Sequence, residues 1–128
     1  MLIIMNVLLW ILAGVLAAAF LAAGALKLSQ PKKKLVASGM GWAEDASTGT
    51  VKLIGALEVL AAIGLVLPAT LGIAPALAPL AALGLALVMI GAVVVHARRG
   101  EAQMAAVNVV LLTLAAVVAW GRFGPYSF

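Results

Sequence analysis

The sequence predicts an all-α fold, an integral membrane four-helix up-down bundle. Two thirds of the residues are apolar and only 9% are charged, against about a quarter charged in soluble domains. The mean hydropathy of +1.27 places the chain far from a soluble composition. The apolar residues fall into runs close to the roughly 20 residues that cross a bilayer as a helix. A chain of 128 residues therefore has room for one four-span membrane domain over 1–128, with spans at 2–26, 51–67, 79–95 and 102–120, and none for a separate soluble domain.

The first run, Met1 to Leu26, has Asn6 as its only strongly polar side chain. As a helix it would be roughly 39 Å long, enough to cross with tilt. No basic region precedes its apolar stretch, so it reads as a retained span rather than a signal peptide. Lys27 closes it. Pro31 before Lys32, Lys33 and Lys34 suits the first position of a short basic surface helix ending near Gly39. A turn-rich polar stretch from Gly39 to Thr50 follows, and the second span starts at Val51. Pro68, Gly72, Pro75 and Pro79 break the chain without adding charge, which puts a turn at the opposite surface. His96, Arg98, Arg99, Gly100 and Glu101 separate the third span from the fourth, and Gly121-Arg122 ends the fourth. Trp10, Trp42 and Trp120 suit interface anchors, and Lys32, Lys33 and Lys34 suit an anionic-lipid patch.

Eight Lys and Arg against four acids would suggest nucleic acid in a soluble protein. Here the basic residues flank apolar runs as topology signals do, so the expected partner is the lipid bilayer and not nucleic acid. Lys27, Lys32, Lys33, Lys34, Lys52, Arg98 and Arg99 fall on one face and Arg122 alone on the other. The first and third loops are accordingly expected in the cytoplasm and both termini outside a bacterial inner membrane. Without cysteine there is no disulfide, thiol redox chemistry or Cys-ligated metal. One histidine cannot supply bis-His haem ligation. No Ser-His-Asp set, phosphate-cradling Gly loop or metal-spaced carboxylate cluster is present, so no catalytic residue, no metal site and no enzyme activity of the chain by itself is predicted.

Glu58 stands inside the apolar run Leu53 to Leu67. An acid inserted at that depth costs roughly 2.5 to 3.5 kcal/mol, so it needs a partner or a proton. On a helical wheel it shares a face with Ile54, Gly55, Ala61, Ala62 and Leu65, opposite Leu53, Leu57, Leu60 and Leu67. Small residues permit close helix approach, so the Glu58 side should face the bundle and the leucines lipid; Gly14, Ala18 and Ala22 form a similar row on the first span. Glu58 lies about 9 Å beyond Lys52 and Asn108 about 10 Å beyond Glu101, at matching depths. Lys27 and His96 end their spans nearer the surface with side chains that reach inward. Lys27, Glu58, His96 and Asn108 are thus candidates for one intramembrane polar site for the headgroup of a quinone or a lipid. They read equally as structure: Lys27–Glu58 as an ion pair fixing helix register, Asn108 as interhelical glue, and His96 as an interfacial histidine.

Ala23-Gly24-Ala25-Leu26-Lys27-Leu28, Gly39-Met40-Gly41-Trp42 with Glu44-Asp45, Leu53 to Glu58, and Val94-Val95-His96 before Arg98 to Glu101 together resemble the DoxX-like family of small four-span bacterial membrane proteins. The resemblance covers nearly the whole chain. It implies a non-catalytic subunit or small-ligand binder associated with membrane redox or oxidative-stress systems, with a quinone as the one cofactor to consider and a homo-oligomer or membrane redox complex as the assembly. Two alternatives stand beside it. One is a proton-coupled exporter of the small multidrug type, disfavoured because those proteins place their essential acid in the first span. The other is a purely structural assembly factor.

Overall fold

The computed structural model describes residues 2–128; Met1, part of the expected domain 1–128, lies outside them. The long helices are α1 (Leu2–Ser29), α3 (Thr48–Leu71), α4 (Leu77–Arg98) and α5 (Ala102–Phe123), with the short α2 (Lys32–Ala37) and a 3-10 turn (Gly41–Glu44) between α1 and α3. These four are the helices long and apolar enough to cross a membrane among the described residues. Every one outruns its expected span, and at α1 and the start of α3 the polar groups at the helix end explain why.

At α1 the charge of Lys27 does not stop the helix, because the side chain turns inward and is 7% exposed. The carbonyls that lose partners at a helix end are taken up by Lys52 of α3. Its Nζ donates to the carbonyls of Lys27 at 2.7 Å, Gln30 at 2.8 Å and Leu28 at 3.1 Å. The ammonium also opposes the negative end of the α1 dipole. Pro31 is the N-cap of α2, one residue before the position expected for it. α3 starts at Thr48 rather than Val51 because Ser47 caps it, its Oγ accepting from the Thr50 N–H at 3.1 Å.

Pro68 does not end α3 as expected; the helix continues to Leu71. Proline removes one ladder bond, which membrane helices tolerate where hydroxyls and local adjustments take up the freed groups. Pro68 lacks the N–H that would meet the Gly64 carbonyl, and the helix runs on past that one lost bond: Thr70 donates its hydroxyl to the Val66 carbonyl at 2.7 Å, and after left-handed Gly72 the Ile73 N–H closes on the Pro68 carbonyl at 2.8 Å. Pro79 likewise sits inside α4, in its first turn, where an N–H has no intrahelical acceptor to lose.

α1 packs most closely on α3 and α4 on α5; contacts of α3 with α4 and α1 with α5 close the ring. The shared core comprises Leu9, Leu16, Phe20, Ala62, Leu65, Leu85, Met89, Ala115 and Val118. A smaller cluster of Leu35, Ala43 and Val51 anchors the α1–α3 connection. The outward faces carry exposed Leu53, Leu57, Leu60 and Leu67 on α3, with Leu87, Ile90 and Val110 on the other pair. So broad an apolar surface needs lipid against it.

The small-residue row of α1 is not the one expected. Gly14, Ala18 and Ala22 are exposed, and the buried stripe is Leu9, Ala13, Leu16, Phe20, Gly24 and Lys27. Residue size alone permits either face to be inward, and the decisive approach lies further along, at Gly24. A Cβ built on Gly24 would lie 2.6 Å from the Gly55 carbonyl oxygen, and one on Gly55 would lie 2.8 Å from Lys27 Cβ. Gly55→Ala is expected to lower the unfolding free energy by about 1 to 3 kcal/mol, the usual cost of overpacking. Gly14, with nothing within 4 Å of its added Cβ, should accept alanine within about 0.5 kcal/mol or gain slightly. Reversible unfolding in mixed micelles measures both.

Candidate functional site

Lys27 and Glu58 each lie one turn C-terminal to the glycine at which α1 and α3 touch, and the two helices run in opposite directions. The side chains therefore start from opposite sides of the crossing. Helical Cα–Cβ bonds tilt toward the N-terminus, so each leans back toward the other. The Lys27 stem passes over Gly55, and its Nζ meets Glu58 Oε1 at 2.7 Å, with Lys27 7% and Glu58 2% exposed. A charge-assisted bond of this length in a water-poor site is among the stronger interactions available to the fold.

His96 and Asn108 come to the same place. All four predicted residues line a single cavity of about 280 Å³, with Phe20, Ile54, Val88, Met89, Val95, Val107 and Leu111 among its apolar walls. The Asn108 side-chain amide nitrogen is buried and has no hydrogen-bond partner. Leaving such a donor unmet costs about 1 to 3 kcal/mol, and Asn108 is one of the residues that line the cavity. The His96 Nδ1 lies 2.9 Å from Glu101 Oε1. If that nitrogen carries the proton and donates it to the carboxylate, Nε2 is the acceptor.

The mouth is closed by residues that the charge pattern identified only as turn or topology elements. Met40 and Trp42 of the α1–α3 connection line the cavity. Arg99 holds that connection down, with Nη1 on Asp45 and Nε donating to Glu101 Oε1 at 3.1 Å. Glu101 thus receives both His96 and Arg99. The bond from His96, aided by the charge and the bond of Arg99, holds its carboxyl below the ordinary value of 4.5. Trp42 is half-buried and lines the cavity. Trp10 and Trp120 lie toward the other end, where Trp10 tilts against Phe128 and Trp120 meets Tyr126 edge-on. Lys33 and Lys34 are exposed and Lys32 half-buried; Lys34 borders a surface groove of about 360 Å³ with Leu26, Gln30 and Ser38.

Two polar groups were missed as partners. Lys52 stood as an interface marker but is a helix cap. Arg122, the lone charge expected at the far surface, is buried, and its Nη1 donates to Asn6 Oδ1 at 2.8 Å. Asn6 was visible as the one polar residue of its run, but a link across 116 positions leaves no trace in local periodicity.

Four apolar helices around a paired lysine and glutamate define a multi-pass membrane protein. Residues 11–118 match the DoxX-like family, and the chain belongs to it. It matches no curated protein and no solved structure.

Lys27→Met strands the Glu58 carboxylate and is expected to cost about 3 to 5 kcal/mol, most of it regained when Glu58→Leu is added. Equilibrium unfolding of the two variants in mixed micelles measures the difference. The lowered Glu101 carboxyl supports the mouth above pH 4.5 and loses that contribution as pH falls through its depressed value. Amide exchange at the α4–α5 turn should therefore accelerate toward acid, and Glu101→Gln should remove the pH dependence.

Proposed function

We propose that this DoxX-like membrane protein is a non-catalytic subunit that binds the headgroup of a small amphipathic ligand, a quinone, in the cavity between Lys27, Glu58, His96 and Asn108. The unpartnered Asn108 amide carries the reading. Apolar walls beside a few fixed polar groups are the ordinary make-up of a small-molecule site, and this cavity combines the two. A quinone offers flat neutral carbonyl acceptors to Asn108, and its isoprenoid tail suits apolar helix faces. The ligand and the DoxX-like membership together support a place in a membrane redox or oxidative-stress assembly, for which the exposed helix faces leave room. The absence of an acid from the first span weighs against a proton-coupled exporter.

The same reading places the α1–α3 connection and the α4–α5 turn in the cytoplasm. Arg99 ties the two together at one end of the bundle. Lys32, Lys33, Lys34, Arg98 and Arg99 lie at that end, as the positive-inside rule requires of a cytoplasmic face, and the three lysines are positioned to meet anionic headgroups there.

Purification in mild detergent followed by native mass spectrometry tests the site. The expected outcome is a bound quinone whose affinity falls about five- to tenfold in Asn108→Leu, the effect of one hydrogen bond of about 1 to 1.5 kcal/mol. The folded protein should be no less stable, because a buried unmet donor is removed with it. A phospholipid in the same place would replace quinone with lipid. An empty cavity in protein purified from quinone-containing membranes would overturn the reading.

A further inference from the structure

We propose that His96 makes the cavity selective for oxidation state, so that a hydroquinone is held more tightly than the quinone it comes from; this rests on the quinone reading of the site. A quinone headgroup carries acceptors only. Its two-electron-reduced form carries hydroxyls, each a donor and an acceptor at once. Discrimination between the two therefore needs a group in the cavity that accepts and does not donate.

Lys27 and Glu58 bring an ammonium and a carboxylate joined at 2.7 Å, which together offer a donor and an acceptor. The Asn108 amide nitrogen is a donor, and a carbonyl or a hydroxyl oxygen meets it equally. His96 differs because its polarity is set from behind. Its Nδ1 lies 2.9 Å from Glu101 Oε1, which also accepts from Arg99 Nε at 3.1 Å. The His96 bond, with the charge and the bond of Arg99, keeps that carboxyl below 4.5, and an ionised carboxylate has no proton to share. The proton between them is on Nδ1, so the neutral imidazole presents a lone pair at Nε2.

That lone pair has the cavity to face. His96 is 8% exposed and is one of the residues lining the cavity of about 280 Å³. Its Nε2 takes part in no hydrogen bond among the described residues, and the buried side-chain polar atom without a partner is Asn108 Nδ2. Nε2 therefore keeps open surface, across the ring from the Glu101 contact. A hydroquinone hydroxyl donates to it. A quinone carbonyl sets lone pair against lone pair there and leaves Nε2 unmet. The charged groups around His96 do not change this. Lys27 of α1 and Glu58 of α3 neutralise each other, Glu101 at the start of α5 is shared with Arg99, Asp45 of the connection takes the other side of Arg99, and Arg98 is exposed.

Calorimetric titration of the full chain in mild detergent, without oxygen, with decylubiquinol and decylubiquinone reads the selectivity at about pH 8, above the ordinary histidine range. The reduced form should bind about tenfold tighter, as one added hydrogen bond provides. That ratio raises the reduction potential of the bound two-electron couple by about 30 mV. His96→Leu should bring the two affinities together with the quinone still bound, and Asn108→Leu should weaken both forms alike. A histidine serving only to tie α4 to Glu101 would hold the two forms equally. Should His96→Leu fail to fold, the wild type at about pH 5 carries the same test. There Glu101 stays ionised while Nε2 gains a proton and becomes a donor, and the preference should be lost. Equal affinities in the wild type at about pH 8, or a preference that persists at about pH 5 and in His96→Leu, would overturn the inference and leave the quinone site standing. Binding of neither form would overturn both.

Discussion

The contact of Gly24 with Gly55 governs most of what the bundle can do. Backbones meeting that closely leave no room for a side chain, so the space beside the crossing is filled from one turn away on each helix. Lys27 and Glu58 occupy those positions and meet at 2.7 Å. Either residue alone would be an uncompensated charge in an apolar bundle, so the close approach and the pair depend on each other. The pair in turn requires α1 to continue past Lys27. The carbonyls exposed at that end are met by Lys52, which stands on the α3 turn before Gly55. Helix crossing, ion pair and helix cap are three consequences of the same two glycines.

From that crossing the polar groups spread toward one end only. His96 reaches Glu101, Glu101 reaches Arg99, and Arg99 reaches Asp45 in the connection between α1 and α3. The chain closes a loop over the cavity mouth with charges that cost little where water is present. Leu35, Ala43 and Val51 hold the same connection from its apolar side. Toward the other end the interior is apolar through Leu9, Leu16, Leu65, Leu85 and Val118, until Arg122 and Asn6 interrupt it near the termini.

Much of this was legible in the sequence because a bilayer leaves few solutions. Run length gave four helices, and the wheel of α3 placed Gly55, Glu58, Ala62 and Leu65 inward with Leu53 and Leu60 outward, as observed. Depth counting for Glu58 and Asn108, with side-chain reach for Lys27 and His96, grouped the four residues that line one cavity. The failures share one cause: local pattern does not show what comes from another helix. α1 is apolar all round, so small residues could not select its inward face, and Gly14 was chosen where Gly24 is used. Pro68 looked like a stop, but the helix forfeits one ladder bond there and ends only at left-handed Gly72. Lys52 and Arg122 looked like surface charges because their acceptors are 22 to 25 and 116 positions away.

The state of the four site residues also limits what the cavity can take. Lys27 and Glu58 neutralise each other, so the site presents no free charge to an ion. His96 is committed through Nδ1 to a carboxylate that is itself held by Arg99. An anionic ligand would have to break one of these pairs and leave a carboxylate unmatched, at a cost of several kcal/mol. The buried side-chain polar atom left without a partner among the described residues is the Asn108 amide nitrogen. The neutral carbonyl ligand proposed above would meet it without disturbing the ion pair that holds α1 to α3, which a carboxylate or a phosphate would not.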